Sequence, residues 1–170
     1  MAHVTLVLGG ARSGKSARAL TLAPAGAPRL FVATAEALDD EMAERIARHR
    51  AERGADWAVA EAPLDLAVPL GAAPAEGTVV IDCLTLWLSN LLHHQRDVDA
   101  ETEALLAALA DAPGRAVLVS NEIGMGLAPM NALGRAFRDA QGRLNQRVAA
   151  AADRVEFVAA GLPLILKGAV

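Results

Sequence analysis

The chain has 170 residues, enough for one domain with a sizeable buried core, and 54% of them are apolar although only 3% are aromatic. A net charge of −4 argues against an electrostatic nucleic-acid binder, which needs a basic surface. A single cysteine rules out an intramolecular disulfide, no apolar run reaches the roughly 18 residues of a membrane span, and the N-terminus lacks a secretory leader pattern, so the expectation is a soluble, cytoplasmic protein.

In chain order, Val4 to Leu8 reads as a strand, followed by a glycine-rich turn and a helix from Lys15 to Ala23. Arg29 to Ala33 is a second strand. A helix opening near Asp39 or Asp40, whose carboxylates suit a helix N-terminus, runs to Gly54. Trp57–Ala60 reads as a short third strand, Leu64–Leu70 as a weak helix, and Thr78–Asp82 as an unbroken apolar strand closed by a carboxylate. Helices at Leu84–Gln95 and Asp99–Ala110 precede a strand at Ala116–Val119, and a long helix spans Asn131–Ala152. Val155–Ala159 and Leu162–Leu166, separated only by Ala160 and Gly161, read as a hairpin. Strands alternating with helices predict a single α/β domain over residues 1–170, its mostly parallel sheet covered by helices on both faces.

The strongest local signal is Gly9-Gly10-Ala11-Arg12-Ser13-Gly14-Lys15-Ser16, which fits G-x-x-x-x-G-K-[ST] between an apolar strand and a helix. Glycines let successive backbone N–H groups turn inward toward phosphate oxygens at the positive end of the helix dipole. Lys15 supplies a mobile charge for the β- and γ-phosphates, and the Ser16 hydroxyl is a Mg²⁺ ligand. The chain therefore reads as a P-loop enzyme acting on a purine nucleoside triphosphate. Asp82, at the carboxyl end of its strand, is a second Mg²⁺ candidate; the plainer reading is a carboxylate that meets solvent or caps the next helix. Cys83 beside it reads as a small buried filler.

His49 shares a helical face with Met42, Ile46 and Arg53, with Arg45 and Arg50 nearby. A lone histidine continuing an apolar stripe is ordinarily a core residue. Three arginines around it suit an anionic phosphate better, and a neutral imidazole there can attack an α-phosphorus while the arginines stabilise the charge. The segment Ser120-Asn121-Glu122-Ile123-Gly124-Met125-Gly126 follows a buried strand, which places Asn121 and Glu122 at the ligand crevice unless it is an ordinary connecting loop. Arg135, Arg138, Arg143 and Arg147 scatter round their helix as a solvated surface, and His93-His94 lack partners at metal-site spacing.

These residues together resemble the bifunctional adenosylcobinamide kinase/adenosylcobinamide-phosphate guanylyltransferases of cobalamin biosynthesis. The similarity runs through Gly9–Ser16, Asp39-Asp40-Glu41-Met42 with Arg45-Ile46 and His49, Trp57 with Glu61, the strand ending in Asp82, and Leu88-Ser89-Asn90-Leu91-Leu92. It is densest at Asn121-Glu122-Ile123-Gly124-Met125-Gly126, Phe137-Arg138-Asp139 and Gly142-Arg143-Leu144-Asn145-Gln146-Arg147. The resemblance implies phosphorylation of adenosylcobinamide by ATP or GTP, then transfer of GMP from GTP through a guanylylated histidine at His49. It also implies nucleotide contacts at Gly9–Ser16, at Thr34, Ala35 and Glu36, at Arg50, Ala51, Glu52 and Arg53, and at Glu61 and Asp82. A RecA-like parallel sheet with an antiparallel C-terminal strand, and a homotrimer, complete what it implies. Some relatives carry Glu where this chain has the shorter Asp82. Two other classes fit the phosphate loop: a small-molecule kinase with no use for a nucleophilic His49, and a nucleotide-driven motor, which fits poorly with the absence of a basic groove in the sequence.

Overall fold

The computed structural model describes residues 3–36 and 56–168. The elements run β1 (Val4–Gly9), α1 (Lys15–Thr21), β2 (Arg29–Ala33), β3 (Ala58–Glu61), α2 (Ala67–Gly71), β4 (Thr78–Asp82), α3 (Leu84–His93), α4 (Val98–Asp111), β5 (Arg115–Asn121), α5 (Ala132–Ala151), β6 (Arg154–Ala159) and β7 (Leu162–Lys167). The seven strands form one sheet in the order β3-β2-β4-β5-β1-β6-β7. All neighbours are parallel except β6 and β7.

The apolar runs of β1 and β4 are explained by burial on both faces, since a parallel sheet with helices above and below leaves no wet side. Alternate residues divide between two cores. Leu6, Val79, Ile81 and Leu118 pack with Trp87, Leu88 and Leu91 of α3, Leu105 and Leu109 of α4, and Leu144 and Val148 of α5. Val7, Val80, Val117 and Val119 face the other way, onto Ala19 and Leu20 of α1.

Several expected boundaries move. α1 stops at Thr21 rather than Ala23, and the weak helix at Leu64 begins only at Ala67. The carbonyls of Pro63 and Leu64 are taken by side chains of α3: Asn90 Nδ2 donates to Pro63 O at 3.0 Å, and Trp87 Nε1 to Leu64 O at 2.7 Å. α3 ends at His93, two residues early, where Gln95 turns left-handed (φ 54°). β5 runs on to Asn121 because its last residues pair with Leu8 and Gly9 of β1. Trp57 precedes β3 rather than opening it; its ring meets Phe31 edge-on with centroids 6.4 Å apart and lies under the Arg29 guanidinium. Asn131 sits outside its helix as the N-cap, accepting from Gly134 N, while Asp97 caps α4 by accepting from Ala100 N, so that helix opens at Val98, one residue before the expected Asp99. The helix expected from Asp39 or Asp40 to Gly54 lies outside the described residues.

The hairpin is where the sequence placed it. Ala160 (φ 52°) and Gly161 (φ 78°) take the left-handed conformations that a tight two-residue turn requires. No described helix is long and apolar enough to cross a membrane.

Candidate active site

The strand ends form a row. Glu61 of β3 pairs in register with Ala33 of β2, Ala33 with Asp82 of β4, and Gly9 of β1 with Asn121 of β5 and Val158 of β6. Thr34–Glu36 continues β2 from that row. Every site residue expected within the described part of the chain therefore opens onto the carboxyl edge of the sheet, where ligands of open α/β sheets bind. His49, Arg50, Ala51, Glu52 and Arg53 lie outside the described residues.

The phosphate loop is shaped by close backbone approach. A Cβ on Gly9 would lie 2.5 Å from Ser13 Oγ and 2.6 Å from the Val158 carbonyl, so only glycine fits there. Gly14 holds φ 93° at the head of α1, with no side-chain cap on the helix. Uncapped N–H groups of this kind are the donors a phosphate satisfies. Lys15 Nζ donates to the Gly10 carbonyl at 2.9 Å, so the ammonium lies back across the loop. Ser13 Oγ is buried without a hydrogen-bond partner among the described residues. The hairpin tip closes the outer side: Gly161 N donates to Ser13 O at 2.8 Å.

Thr34 is wholly buried and works as a backbone tie. Its hydroxyl donates to Cys83 O at 2.7 Å and accepts from Cys83 N at 2.8 Å, while Asn90 Nδ2 donates to Thr34 O at 2.7 Å. These bonds fix the β2 exit against the β4 exit, so the positions of Ala35, Glu36 and Asp82 are coupled. Glu36 meets His94 Nε2 at 3.0 Å, which gives His94 a role as a carboxylate partner that sequence reasoning missed. Among the described residues no three His, Cys, Asp or Glu side chains cluster as a metal cage. Burial first, and then the Asp82 charge, push the Cys83 thiol up to about 11, whereas Lys15 pulls slightly the other way. A thiol held protonated is a filler, not a nucleophile, as the sequence suggested.

Asp82 shares its strand face with Val80, and Asn121 shares its face with Val119, because side chains alternate along a strand. Val80 and Val119 both pack toward α1. The two polar residues thus emerge on the side where the phosphate loop enters its helix.

Two buried polar groupings support this edge, and neither was legible beforehand. On the α5 side, Ser120 Oγ donates to Asn145 Oδ1 at 2.6 Å, Gln141 Nε2 donates to Ser120 Oγ at 2.9 Å, and Asn145 Nδ2 donates to Asn121 O at 3.1 Å. On the α1 side, Arg18 forks onto the fully buried Glu156 through bonds of 2.7 and 2.9 Å, and Arg154 adds another at 2.7 Å. Hydrogen bonding from Arg18 outweighs burial and holds the Glu156 carboxyl below its ordinary range. Arg147, read earlier as solvated surface, ties α5 to Asp99 and Glu103 of α4. A depression of about 240 Å³ lined by Pro24, Glu76, Thr78 and Arg115 lies at the opposite, amino edge of the strands and takes no part in this site.

With the geometry in place, the comparisons are specific. The family model for cobinamide kinase / cobinamide phosphate guanyltransferase matches residues 5–166. The chain belongs to that family. It is 50% identical over 167 residues to the bifunctional adenosylcobalamin biosynthesis protein CobP of Pseudomonas aeruginosa, with 96% of each chain covered. It is 41% identical to the CobU protein of the same description from Salmonella typhimurium, covering 95% of this chain and 98% of the relative. Among solved structures it resembles a KaiC-like protein of Pyrococcus horikoshii, with TM-score 0.51, 14% identity, and coverage of 91% of this chain and 70% of that one. That last likeness speaks to the P-loop fold alone. Family membership makes the chain an enzyme of cobalamin biosynthesis with cobinamide kinase and cobinamide phosphate guanylyltransferase activity.

Proposed function

We propose that both reactions use the carboxyl edge of the sheet, in two stages linked by His49. In the first, the hydroxyl of adenosylcobinamide takes the γ-phosphoryl group of ATP or GTP held by Gly9–Ser16, with Lys15 neutralising the β- and γ-phosphates. In the second, the His49 imidazole attacks the α-phosphorus of GTP, pyrophosphate leaves, and the adenosylcobinamide phosphate then takes GMP from the histidine. The observation that carries this reading is the row of strand ends that gathers the phosphate loop, Thr34–Glu36, Glu61 and Asp82 on one edge. Splitting guanylyl transfer at a neutral imidazole avoids direct attack of a phosphate dianion on an anionic triphosphate, and Arg50 and Arg53 are assigned to the charge that remains. The nucleotide contacts expected at Thr34, Ala35, Glu36, Ala51, Glu52, Glu61 and Asp82 belong to the same proposal.

The Ser16 hydroxyl and the Asp82 carboxylate are hard oxygen donors, which suit Mg²⁺ carried in on phosphates and water. When bound, Mg²⁺ supplies charge neutralisation at the phosphates; these two residues would hold it. The cytoplasmic setting fits the single buried cysteine. A homotrimer fits the apolar surface left uncovered on one chain, where Leu127 and Met130 are each 98% exposed. Light scattering at micromolar concentration should give three times the chain mass.

The decisive experiment is incubation with GTP and Mg²⁺, without cobinamide, followed by intact-protein mass measurement. One GMP should be added and pyrophosphate released. The adduct should disappear in mild acid, which protonates the nitrogen of a P–N bond, and survive alkali. His49→Ala should abolish it, while His93→Ala and His94→Ala should not. Undiminished labelling in His49→Ala would leave the family assignment standing and remove this mechanism.

A further inference from the structure

Asn121 stands at the tip of β5, the strand lying between β1, which carries the phosphate loop, and β4, which ends in Asp82. It pairs in register with Gly9, and the next residue's N–H bonds Gly9 O at 3.0 Å. Its side chain emerges on the α1 side, as Asp82 does. That half-buried carboxamide makes no hydrogen bond to another described residue, which leaves its donors free to meet a ligand in the crevice. The backbone beneath it is held on both sides: Asn121 N donates to Thr85 Oγ1 at 3.0 Å, and Asn121 O accepts from Asn145. Asn145 and Gln141 are themselves buried and bonded to Ser120, one residue away. A side chain on so fixed a base, with its donor unspent and flanked by the phosphate loop and an acid, is preorganised for a ligand rather than for the fold.

We propose that Asn121 is a catalytic group of the kinase step, its amide N–H donating to the oxygens of the γ-phosphoryl group during transfer, and that Ser120, Gln141 and Asn145 are the positioning residues that hold it. The inference rests on the kinase reading of the phosphate loop. In the step concerned, the cobinamide hydroxyl oxygen bonds to the γ-phosphorus and the bond from that phosphorus to the β,γ-bridging oxygen breaks. Nucleoside diphosphate departs and the hydroxyl proton passes to water. The transferring group's oxygens gain exposure between the two bridging atoms, and a neutral donor stabilises them there without the desolvation cost of another cation.

The test is steady-state phosphorylation of cobinamide by ATP with Asn121→Ala and the isosteric Asn121→Asp, beside calorimetric binding of a non-hydrolysable ATP analogue with Mg²⁺. Removing one donor of this kind should lower kcat about a hundredfold while the analogue's affinity changes by less than about threefold. Asn121→Asp, which keeps the shape but presents charge to the phosphate, should be at least as slow as the alanine variant. Asn145→Ala should slow the reaction less, and combined with Asn121→Ala should add no more than about twofold, because both act through one group. Native kcat in either Asn121 variant, or a fall in affinity that accounts for the whole loss, would overturn the catalytic role. Full additivity of the two alanine changes would overturn the positioning role. Lys15→Ala in the same assay separates the two levels: if it too were fully active, the phosphate-loop reading fails, whereas an inactive Lys15→Ala beside a native Asn121→Ala removes only Asn121.

Discussion

The phosphate-loop strand β1 is flanked by two buried polar clusters of opposite character. On the β6 side stand Arg18, Arg154 and Glu156, ionised and bidentate; on the β5 side stand Ser120, Gln141 and Asn145, neutral and linked by single bonds. Both do the same mechanical work, fixing a neighbour of β1 to the helix packed over it: α1 in the first case, α5 in the second. They differ in how their cost is met. A buried carboxylate is tolerated only while its cations remain, so removing one partner strands charge, whereas a neutral amide network loses one bond at a time.

The largest effect should follow from breaking the charged cluster. Glu156→Ala leaves two arginines facing a buried hole and should cost about 3–5 kcal/mol in urea unfolding. It should also weaken nucleotide binding, since Arg18 lies one turn beyond Lys15. A neutral substitution of the same shape sharpens the comparison through pH. Because the folded-state pKa of Glu156 is lowered, its contribution is complete above the unfolded value of about 4.3 and is lost as pH falls below it through the folded value. The stability gap between the native chain and Glu156→Gln should therefore be wide at pH 7 and narrow in acid. Gln141→Ala should cost about 1–3 kcal/mol, with a gap that stays flat between about pH 4 and 8, since nothing in its cluster titrates there. A pH-dependent gap for Gln141→Ala, or a flat one for Glu156→Gln, would erase the distinction.

Neither cluster could be read from the sequence, and the reason is physical. Arg18 and Glu156 are 138 residues apart, and in a β-strand reading Glu156 is only the polar half of an alternation. Gln141, Leu144, Asn145 and Val148 do share one helical face, and two amides interrupting an apolar stripe were the available signal. What was legible is what local chemistry dictates: the phosphate loop, the β4 run ending in Asp82, and the parallel sheet with its antiparallel last strand. The hairpin was legible because only a glycine-containing pair joins its strands. The functional reading came through resemblance at Asn121–Gly126 and around His49, and the first of these is where the structure adds a side-chain amide without a partner among the described residues and the network beneath it.

The smallest effect concerns the hairpin. Ala160 holds a left-handed conformation that glycine takes without strain, so Ala160→Gly should raise stability by about 0.5–1 kcal/mol after the entropic penalty of glycine, read as a small increase in melting temperature.

That hairpin has a further consequence. Gly161 sits against the phosphate loop so closely that a Cβ on Gly14 would come within 3.0 Å of its Cα, and its N–H holds Ser13 from outside. The C-terminal ribbon is thus a backstop for a loop already wedged between β5 and β6. The β2–β3 edge, where Glu36 and Glu61 stand, lies at the opposite end of the sheet from this ribbon.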